Sequence, residues 1–439
     1  MPTPALRDDA LAIWRAGVQA VQPAVFMPDA VRALDLSRPG ALVVVGAGKA
    51  GAAMVQALEA ALGPEKLAAR RVRGVVNVID SFADEARPGI RLHAARPEGD
   101  PLPTPAGVAG SEAMLDLVRT LGPDDTVIAL ISGGASALLP LPVAGVTLAE
   151  KREATTLLSK AGATIGELNT VRKHLSRIKG GHLAAASHAG QWISLILSDV
   201  IGNPLDVIAS GPTVPDPTTY ADALAVIARF RLEERLPAPV MRHLRRGLQG
   251  LEPETPKTLP PAIVNRIVAD NALALQAAAG HARRLGYAVD ILPDPIQGES
   301  REAGKKMARL ILERRTPATG KPRCLLAGGE PIVSRVAPGG KGGRNQEFAL
   351  GALMETTGTG FANCCLLAAG TDGEDGPTDA AGAFYDEPLR LAARARGLDP
   401  AAYFLTSRSY DFFARTGGLL KTGPTGTNVM DLVVALVAP

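Results

Sequence analysis

A lysine within a glycine-rich turn is the residue of this chain whose position has the clearest chemical meaning. Residues 43–51 read VVVGAGKAG, so three apolar β-formers lead into glycines that have the spacing of a dinucleotide-binding fingerprint. Lys49 stands in the middle of that turn. A turn that only brings backbone N–H groups to a pyrophosphate needs no cation there, whereas a site that neutralises a phosphoryl group does. Because G-x-x-x-x-G-K-[ST] occurs nowhere in the sequence, such a site would differ from a P-loop.

Four more glycine-containing segments follow apolar runs directly. They read SGGASAL (132–138), SDVIGNPLDVIASGPT (198–213), GGEPIVSRVAPGGKGGRNQE (328–347) and GTDGEDGPTD (370–379). In open α/β sheets, ligands bind beyond the carboxyl ends of the strands. Glycine lets backbone N–H groups converge on an anion without obstruction by a Cβ atom. The five segments together therefore indicate a ligand site built from loops.

The segment SGGASAL places two serines around a glycine turn. Ser132 ends an apolar run, Gly133 and Gly134 turn the chain, and Ser136 falls in the first turn of an expected helix. Free N–H groups at a helix start favour a phosphate or a carboxylate, so an anion-binding turn is one interpretation. The alternative is an ordinary strand-to-helix turn with a serine cap.

The segment GKGGRNQE brings Lys341 and Arg344 together with Asn345 at the expected start of another helix. A guanidinium in that position suits bidentate binding of phosphoryl oxygens. The alternative is a solvated basic turn in which Asn345 caps the helix.

Carboxylates cluster in the segment GTDGEDGPTD, directly after an apolar run. Asp372 and Asp375 are candidates to hold Mg²⁺ or to take a proton. Glu374 better fits an acidic solvated turn, and the spacing excludes an EF-hand calcium loop.

A basic stretch, NTVRKHLSRIKGGHL (169–183), offers cations for an acidic substrate. Arg172 and Lys173 are its candidates to hold a carboxylate, while its two histidines are expected to be structural. Asp199 and Asn203 follow the next apolar run and are placed for a role as base or metal ligand.

Apolar runs alternate with helical patterns through most of the chain. Strands are predicted at ALVVVGAG, RGVVNVID, TVIALI and QWISLILSDV, with helices between them. This alternation predicts an α/β fold with a doubly wound, mostly parallel sheet. The pattern weakens after residue 232 and then resumes as a second α/β pattern. We therefore expect two domains, at residues 1–240 and 241–439.

Composition narrows the class of protein. The 439 residues carry a net charge of only +3, and no Lys/Arg block with interleaved aromatic residues occurs, so no nucleic-acid partner is expected. Cys324, Cys364 and Cys365 lie in apolar runs and are expected to be reduced core thiols of a cytoplasmic protein. The N-terminus lacks the apolar segment of a signal peptide. No apolar stretch approaches the roughly 18 residues of a membrane span, so no membrane partner is expected.

Six motifs resemble, in order, the glycerate kinases that phosphorylate the 2-hydroxyl group, a family whose C-terminal domain is labelled MOFRL. They are VVGAGKAG, SGGASALL, LNTVRKHLSRIKGG, LSDVIGNPLDVIASGPT, GGKGGRNQEFAL and AAGTDGEDGPTDAAGA. The resemblance covers nearly the whole chain and implies an ATP- and Mg²⁺-dependent kinase that converts D-glycerate to 2-phosphoglycerate. It also implies a Rossmann-like N-terminal domain, a smaller MOFRL-type α/β domain and an active site in the cleft between them. A homodimer is a possible assembly.

The resemblance points to Lys49 and Arg344 as functional residues, and we expect both to act on the phosphoryl group. Asp199, Asp372 and Asp375 are the candidates for the base and for the metal ligands. We assign Asp199 to catalysis and Asp372 and Asp375 to the metal. Candidates for substrate and phosphate binding are Gly48, Ser132, Gly133, Gly134, Ser136, Arg172, Lys173, Asn203, Glu330, Lys341 and Asn345.

The principal alternative is an NAD(P)H-dependent hydroxypyruvate reductase, a label that some relatives have carried. The glycine spacing supports it, but the acid expected about 20 residues after such a loop is not evident. Asp80 comes 29 residues after Gly51. A further alternative is a non-catalytic anion-binding regulator, which the five polar loops and the lack of a DNA-binding motif disfavour.

Overall fold

The computed structural model describes residues 3–260, 262–315 and 320–439. The chain divides into two compact units. The central unit is Phe26–Val268, and the split unit combines Met1–Val25 with Ala269–Pro439. The described chain opens with helix α1, Thr3–Ala20, which belongs to the split unit.

Six strands of the described residues form the sheet of the central unit, in the order β3-β2-β1-β4-β5-β6. Their bounds are Leu42–Ala47 (β1), Arg73–Ile79 (β2), Ile90–Arg96 (β3), Thr126–Ile131 (β4), Gln191–Leu197 (β5) and Ile263–Ala269 (β6). The four pairings from β3 to β5 are parallel. Every residue of β1 and β4 is buried, as expected for strands of a parallel sheet that is covered on both faces.

Three of the described helices of the central unit begin with a capping box, a pair of reciprocal side-chain to backbone hydrogen bonds. The pairs are Thr147 and Glu150 at α6, Thr164 and Glu167 at α7, and Thr219 and Asp222 at α9. The helices are Pro23–Arg32 (α2), Gly51–Ala69 (α3), Pro105–Arg119 (α4), Ala135–Leu138 (α5), Leu148–Lys160 (α6), Ile165–His174 (α7), His182–Ala185 (α8), Tyr220–Arg229 (α9) and Ala238–Leu248 (α10). Single 3₁₀ turns lie at Asp80–Phe82 and Ile208–Ser210.

The split unit is built on a mixed sheet in the order β11-β10-β9-β12-β8-β7. Its strands are Ala288–Ile291 (β7), Arg323–Gly329 (β8), Cys364–Gly370 (β9), Gly382–Asp386 (β10), Leu419–Leu420 (β11) and Asp431–Val437 (β12). Strand β12 runs antiparallel to both β8 and β9. Its helices are α1, Asn271–Arg284 (α11), Ser300–Glu313 (α12), Arg344–Glu355 (α13), Glu387–Ala395 (α14), Pro400–Leu405 (α15) and Ser409–Thr416 (α16). Helix α1 packs against α11, β9 and β12, and α12 packs against α13.

The structure confirms the expected fold class, an α/β protein with a mostly parallel sheet and a second α/β unit. Its division differs from the expected boundary at residue 240 in two ways. The segment AIVNRIVAD supplies β6, which extends the first sheet beside β5. The N-terminal helix α1 joins the other unit, because Trp14 is buried there and its Nε1 donates to the Ala369 oxygen (3.4 Å).

The three thiols lie where the sequence places them. Cys324 is buried in β8, and Cys364 and Cys365 are buried in β9, all as free cysteines. Burial raises the pKa of Cys324 to about 12, so this thiol is chemically quiet. Among the described residues, no helix is both long enough and apolar enough to cross a bilayer.

Candidate active site

The turn that carries Lys49 lies where the strand order of the central sheet reverses. The chain runs outward from β1 through β2 to β3 and then returns to β4 on the other side of β1. In open α/β sheets, this switch point is the place where ligands bind. The turns after β1 and β4 are joined there, because the Lys49 N–H donates to the Gly133 oxygen (2.8 Å). The Ala50 N–H donates to Ser132 Oγ (3.1 Å).

Glycines allow these two turns to approach each other closely. Gly48 has a φ of +146°, and a Cβ atom there would lie 2.0 Å from Ser132 Oγ. A Cβ atom on Gly134, which has a φ of +79°, would lie 3.4 Å from Lys49 Cγ. The half-buried Lys49 side chain therefore lies alongside Gly134. The glycines of the expected fingerprint thus fix the base of a lysine side chain.

The serines of SGGAS have different roles. Ser132 is buried, and its hydroxyl oxygen stabilises the turn after β1 by accepting a hydrogen bond from the Ala50 N–H. Ser136 Oγ lies 2.9 Å from Ser210 Oγ and accepts from Lys179 Nζ (3.1 Å). The expected helix after the turn is only the four-residue α5, because Pro140 follows it closely. A single turn adds little dipole, so any anion here must be held by side chains and by the turn itself.

A cavity of about 170 Å³ opens beside Ser136 in the central unit. We call it the basic cavity, and its charged lining residues are Lys151, Arg152, Arg172 and Lys179. The apolar part of its lining comprises Pro101, Leu102, Pro103, Ala137, Pro140 and Leu148. Of the two cations expected to hold a carboxylate, Arg172 is thus on the wall of this cavity.

Lys173 has a different environment from its neighbour Arg172. It is 2% exposed, and its Nζ lies 3.3 Å from Asp206 Oδ2 and 3.3 Å from Asp216 Oδ1. Two carboxylates therefore neutralise Lys173 inside the protein, which favours a structural role for this lysine over the expected role in substrate binding. His174 is likewise structural, as expected, because it contacts the Thr170 oxygen through Nδ1.

A turn with left-handed backbone conformation contacts Lys179 and Ser136, two residues of the cavity wall. Ala209, Ser210 and Gly211 have φ values of +54°, +60° and +62° in succession, a left-handed conformation that is unfavourable for residues with a side chain. The turn directs the Ala209 oxygen to Lys179 Nζ (3.3 Å). It also lets Ser210 Oγ donate to Asn169 Oδ1 (3.0 Å). The unfavourable backbone conformation thus places the Ala209 oxygen and the Ser210 hydroxyl near the buried Lys179.

Asp199 and Asn203 lie in the loop after β5, the strand next to β4. Both are half-buried, and Asn203 has a φ of +54°. Their loop is thus at the carboxyl edge of the sheet, as expected, while the basic cavity is lined by other residues.

Arg344, the first residue of α13, is held by a carboxylate that sequence reasoning missed. Its Nε donates to Asp431 Oδ2 (2.6 Å) and its Nη2 to Asp431 Oδ1 (2.9 Å), while Nη1 lies 3.3 Å from Glu330 Oε1. Burial opposes the charge of Arg344, but Asp431 more than compensates and raises the pKa of the guanidinium. The side chain remains 30% exposed. Arg344 is thus a fixed cation with part of its surface accessible.

Asp375 accepts hydrogen bonds from the first turn of helix α13, although it is distant from this helix in sequence. Its Oδ1 accepts the Asn345 N–H (2.9 Å) and its Oδ2 accepts the Gln346 N–H (2.9 Å). Burial, together with nearby Asp431, raises the pKa of Asp375 to about 7. Both carboxylate oxygens of Asp375 thus serve the start of α13, which favours a structural role over the expected role as a metal ligand. Asn345 lies inside the helix, whose N-cap is Gly343, and its Nδ2 donates to Asp431 Oδ1 (3.0 Å).

The remaining candidates of the split unit lie at its surface. Asp372 is half-buried, and its Oδ1 accepts the N–H of the exposed Glu374 (3.1 Å). Lys341 is exposed, with its Nζ 4.1 Å from the centre of the Tyr410 ring. In the part of the chain that the structure describes, no group of three or more His, Cys, Asp or Glu side chains could hold a metal ion. A metal here would therefore need most of its ligands from a bound molecule or from water.

Comparisons with known proteins agree with this architecture. A family model described as a domain of unknown function (DUF4147) matches residues 9–245, and the MOFRL family model matches residues 323–431. The glycerate 2-kinase of Pyrococcus horikoshii is 36% identical, over 98% of this chain and 97% of that protein. The D-glycerate 2-kinase of Thermotoga maritima is 37% identical over 98% of both chains. A putative hydroxypyruvate reductase of Agrobacterium vitis is 40% identical, over 97% of this chain and 93% of that one.

A solved structure extends the similarity to three dimensions. The crystal structure of a glycerate kinase from Thermotoga maritima matches with a TM-score of 0.86 and 36% identity, over 99% of this chain and 100% of the other. Sequence and structure agree over essentially the full length of these relatives. The chain therefore belongs to the glycerate 2-kinase family, with the MOFRL domain in its C-terminal part.

Proposed function

We propose that this protein transfers the γ-phosphoryl group of ATP to the 2-hydroxyl group of D-glycerate, giving 2-phosphoglycerate and ADP. The observation that carries the proposal is the half-buried Lys49 at the topological switch point, with its backbone joined to the turn that contains Gly133. Family membership supports the same reaction.

The proposed step forms a bond between the 2-oxygen of glycerate and the γ-phosphorus and breaks the bond to the leaving oxygen of ADP. Catalysis of phosphoryl transfer is mostly positioning and charge stabilisation. Lys49 supplies a compact positive charge from a turn that glycine contacts have already fixed, so little reorganisation is needed. We assign the proton of the 2-hydroxyl to the carboxylate of Asp199, at the same edge of the sheet.

Arg344 is our second phosphoryl-binding candidate. Asp431 and Glu330 fix its guanidinium, and its exposed part presents the donors that remain to an anion. In this view Asp431 is a positioning residue, and Lys341 and Asn345 assist at the same helix start.

We infer that Mg²⁺ arrives with the nucleotide. When bound, Mg²⁺ neutralises phosphate charge, and it usually keeps several waters and takes only one or two carboxylates from the protein. The absence of a three-ligand cluster among the described residues fits that mode better than a protein-built cage. Asp372 is the carboxylate that we assign to it, because both oxygens of Asp375 accept backbone N–H groups.

The cellular setting is part of the proposal. Buried free thiols suit a reducing compartment, so we place the enzyme in the cytoplasm. Glycerate and the nucleotide are then its partners, and a homodimer is a prediction for light scattering to check.

One observation favours the reductase alternative. Asp80 directly follows β2, where dinucleotide-binding folds carry the acid that binds ribose. Its Oδ1, however, accepts the Glu98 N–H (3.0 Å). The two functions are separated by assays on one preparation, ADP release with D-glycerate, ATP and Mg²⁺ beside NADH oxidation with hydroxypyruvate. The proposal expects ADP release that depends on glycerate and background NADH oxidation; NADH turnover without ATP would overturn it.

A further inference from the structure

Two lysines in the wall of the basic cavity are almost completely removed from water. Lys179 is 2% exposed and Lys151 is 7% exposed. Lys151 Nζ donates to the Leu175 oxygen (2.7 Å), and Lys179 Nζ donates to the oxygens of Ser136 (2.9 Å) and Ala209 (3.3 Å). These partners are neutral oxygens, which satisfy hydrogen bonds but do not neutralise charge.

Three cations of the cavity wall have no carboxylate partner in the part of the chain that the structure describes. Across residues 3–260, 262–315 and 320–439, no ion pair joins Lys151, Lys179 or Arg172 to an acid. The contrast with Lys173 is sharp, because that lysine has two carboxylates within 3.3 Å. Burial, with Arg172 nearby, lowers the pKa of Lys151 to about 7. Buried like charges without a counter-ion are unfavourable, and an anionic ligand would neutralise them.

The size and lining of the cavity restrict that anion. About 170 Å³ is below the range of roughly 300–1,000 Å³ that holds drug-sized ligands, so a whole nucleotide is too large. The lining combines charged residues with apolar ones, among them Pro101, Leu102 and Leu148. A short organic acid, with one carboxylate and a few carbon atoms, matches a lining of that composition.

The cavity also adjoins the turn assigned to phosphoryl transfer. Ser136 lines the cavity and lies two residues after Gly134, alongside which the Lys49 side chain runs. An acid bound by its carboxylate at Lys151 and Arg172 would share the cavity with Ser136, the residue that links it to this turn.

We propose that the basic cavity binds the carboxylate of the small hydroxy acid that the enzyme phosphorylates, through Lys151, Lys179 and Arg172. This inference rests on the proposed kinase function and identifies which part of the substrate is bound where. It extends the site beyond the residues that the sequence motifs single out, since Lys151 lies in α6, outside all of those motifs. The cavity thereby selects for acids over neutral polyols of the same size.

The test is equilibrium binding of D-glycerate to the full chain by calorimetry, without nucleotide, with glycerol as the uncharged probe. Lys151→Met keeps the length of the side chain and removes its charge. Lys160→Met is the matched control, because Lys160 is an exposed lysine of the same helix. Arg172→Gln, at a half-buried position, is the second variant in case the first does not fold.

We expect wild type and Lys160→Met to bind glycerate and not glycerol. Lys151→Met and Arg172→Gln should raise the Kd roughly 10- to 100-fold, the effect of losing a charged hydrogen bond. In the kinase assay, the KM for glycerate should rise and the KM for ATP should stay unchanged. Circular dichroism checks that the variants are folded.

Two results would overturn the inference. One is a Kd for glycerate within twofold of wild type in both folded cavity variants. The other is loss of binding to inorganic phosphate or ADP while glycerate binding persists, which would make the cavity a phosphate site. If the variants lose glycerate but wild type never consumes ATP, the carboxylate site stands and the proposed kinase function fails.

Discussion

Replacement of Asp431 by Asn tests whether this buried carboxylate positions Arg344. Asp431 is 1% exposed, and its two oxygens accept from Nε and Nη2 of Arg344 and from Nδ2 of Asn345. An asparagine can accept at only one of those oxygens, and its NH₂ group would face a guanidinium N–H. The variant therefore loses one charged hydrogen bond and gains a clash between two donors.

The size of the effect follows from the same contacts. Breaking a buried ion pair costs about 3–5 kcal/mol, and a lost charged hydrogen bond costs about 1.5–3 kcal/mol. Arg344 keeps Glu330 and is 30% exposed, so water replaces part of the lost interaction. Burial also raises the pKa of Asp431, so removing its charge removes part of the free-energy cost of keeping that charge away from water. We expect the free energy of unfolding to fall by about 2–3 kcal/mol, and kcat to fall with it.

The two tryptophans make a unit-specific assay possible. Trp14 and Trp192 are the only tryptophans and both are buried, one in each unit. In a Trp192→Phe background, Trp14 fluorescence during urea unfolding reports the split unit, which contains Asp431. Glu330→Gln is the control, because its carboxylate is 48% exposed and should contribute below about 1 kcal/mol. If Asp431→Asn changed the unfolding free energy by no more than this control, the positioning role would be refuted.

Substitutions elsewhere separate catalytic from structural roles. Lys49→Ala should leave the melting temperature unchanged and lower kcat roughly 100- to 1,000-fold in steady-state assays, because it removes a transition-state charge. Combined with Arg344→Ala, its loss in kcat/KM should be far from additive if both groups serve one step. Gly48→Ala should destabilise by about 2 kcal/mol or more in thermal melts, since its Cβ would lie 2.0 Å from Ser132 Oγ. Because of Asp375, the free energy of unfolding of wild type should fall relative to that of Asp375→Asn as pH rises from about 4 to 7, by up to about 1.4 kcal/mol per pH unit.

The sign of the Asp375 prediction follows from its pKa of about 7, above the ordinary value of 3.8. The folded state holds the proton more tightly than the unfolded state, so the stabilisation is complete at acid pH and is lost as pH rises through 7. A flat difference between wild type and Asp375→Asn would contradict it. Near-normal turnover in Lys49→Ala would refute the catalytic role of this lysine. Strictly additive losses in the double variant would refute a step shared with Arg344. A Gly48→Ala protein as stable as wild type would refute the expected steric clash.

The strands that could be predicted are those whose apolar runs are long and bounded by glycine. β1, β4 and β9 have that pattern and are completely buried. β3, IRLHAAR, is not predicted because it lies at the sheet edge and three of its seven residues are polar. The unit boundary could not be predicted either, because the pairing of β6 with β5 and the packing of α1 on α11 are long-range contacts that local pattern does not encode.

The candidate site shows the same limit at the level of side chains. Lys49 could be found because a cation interrupts a recognisable glycine pattern. Arg172 and Lys173 are neighbours in sequence, but successive side chains of a helix point about 100° apart, so one lines a cavity and the other is buried against acids. Lys151 lies within α6 and Asp431 begins β12, and no sequence motif around either residue marks it as functional. Burial gives both residues their importance, and burial is a property of the folded chain.

Transfer of phosphorus from ATP to the 2-oxygen of glycerate can be observed by ³¹P NMR of the products that the purified protein forms from D-glycerate, ATP and Mg²⁺. We expect one new phosphomonoester resonance, that of 2-phosphoglycerate, which grows in step with ADP and is nearly absent with Lys49→Ala. A product phosphorylated at the 3-oxygen, or ADP without any phosphorylated glycerate, would contradict it.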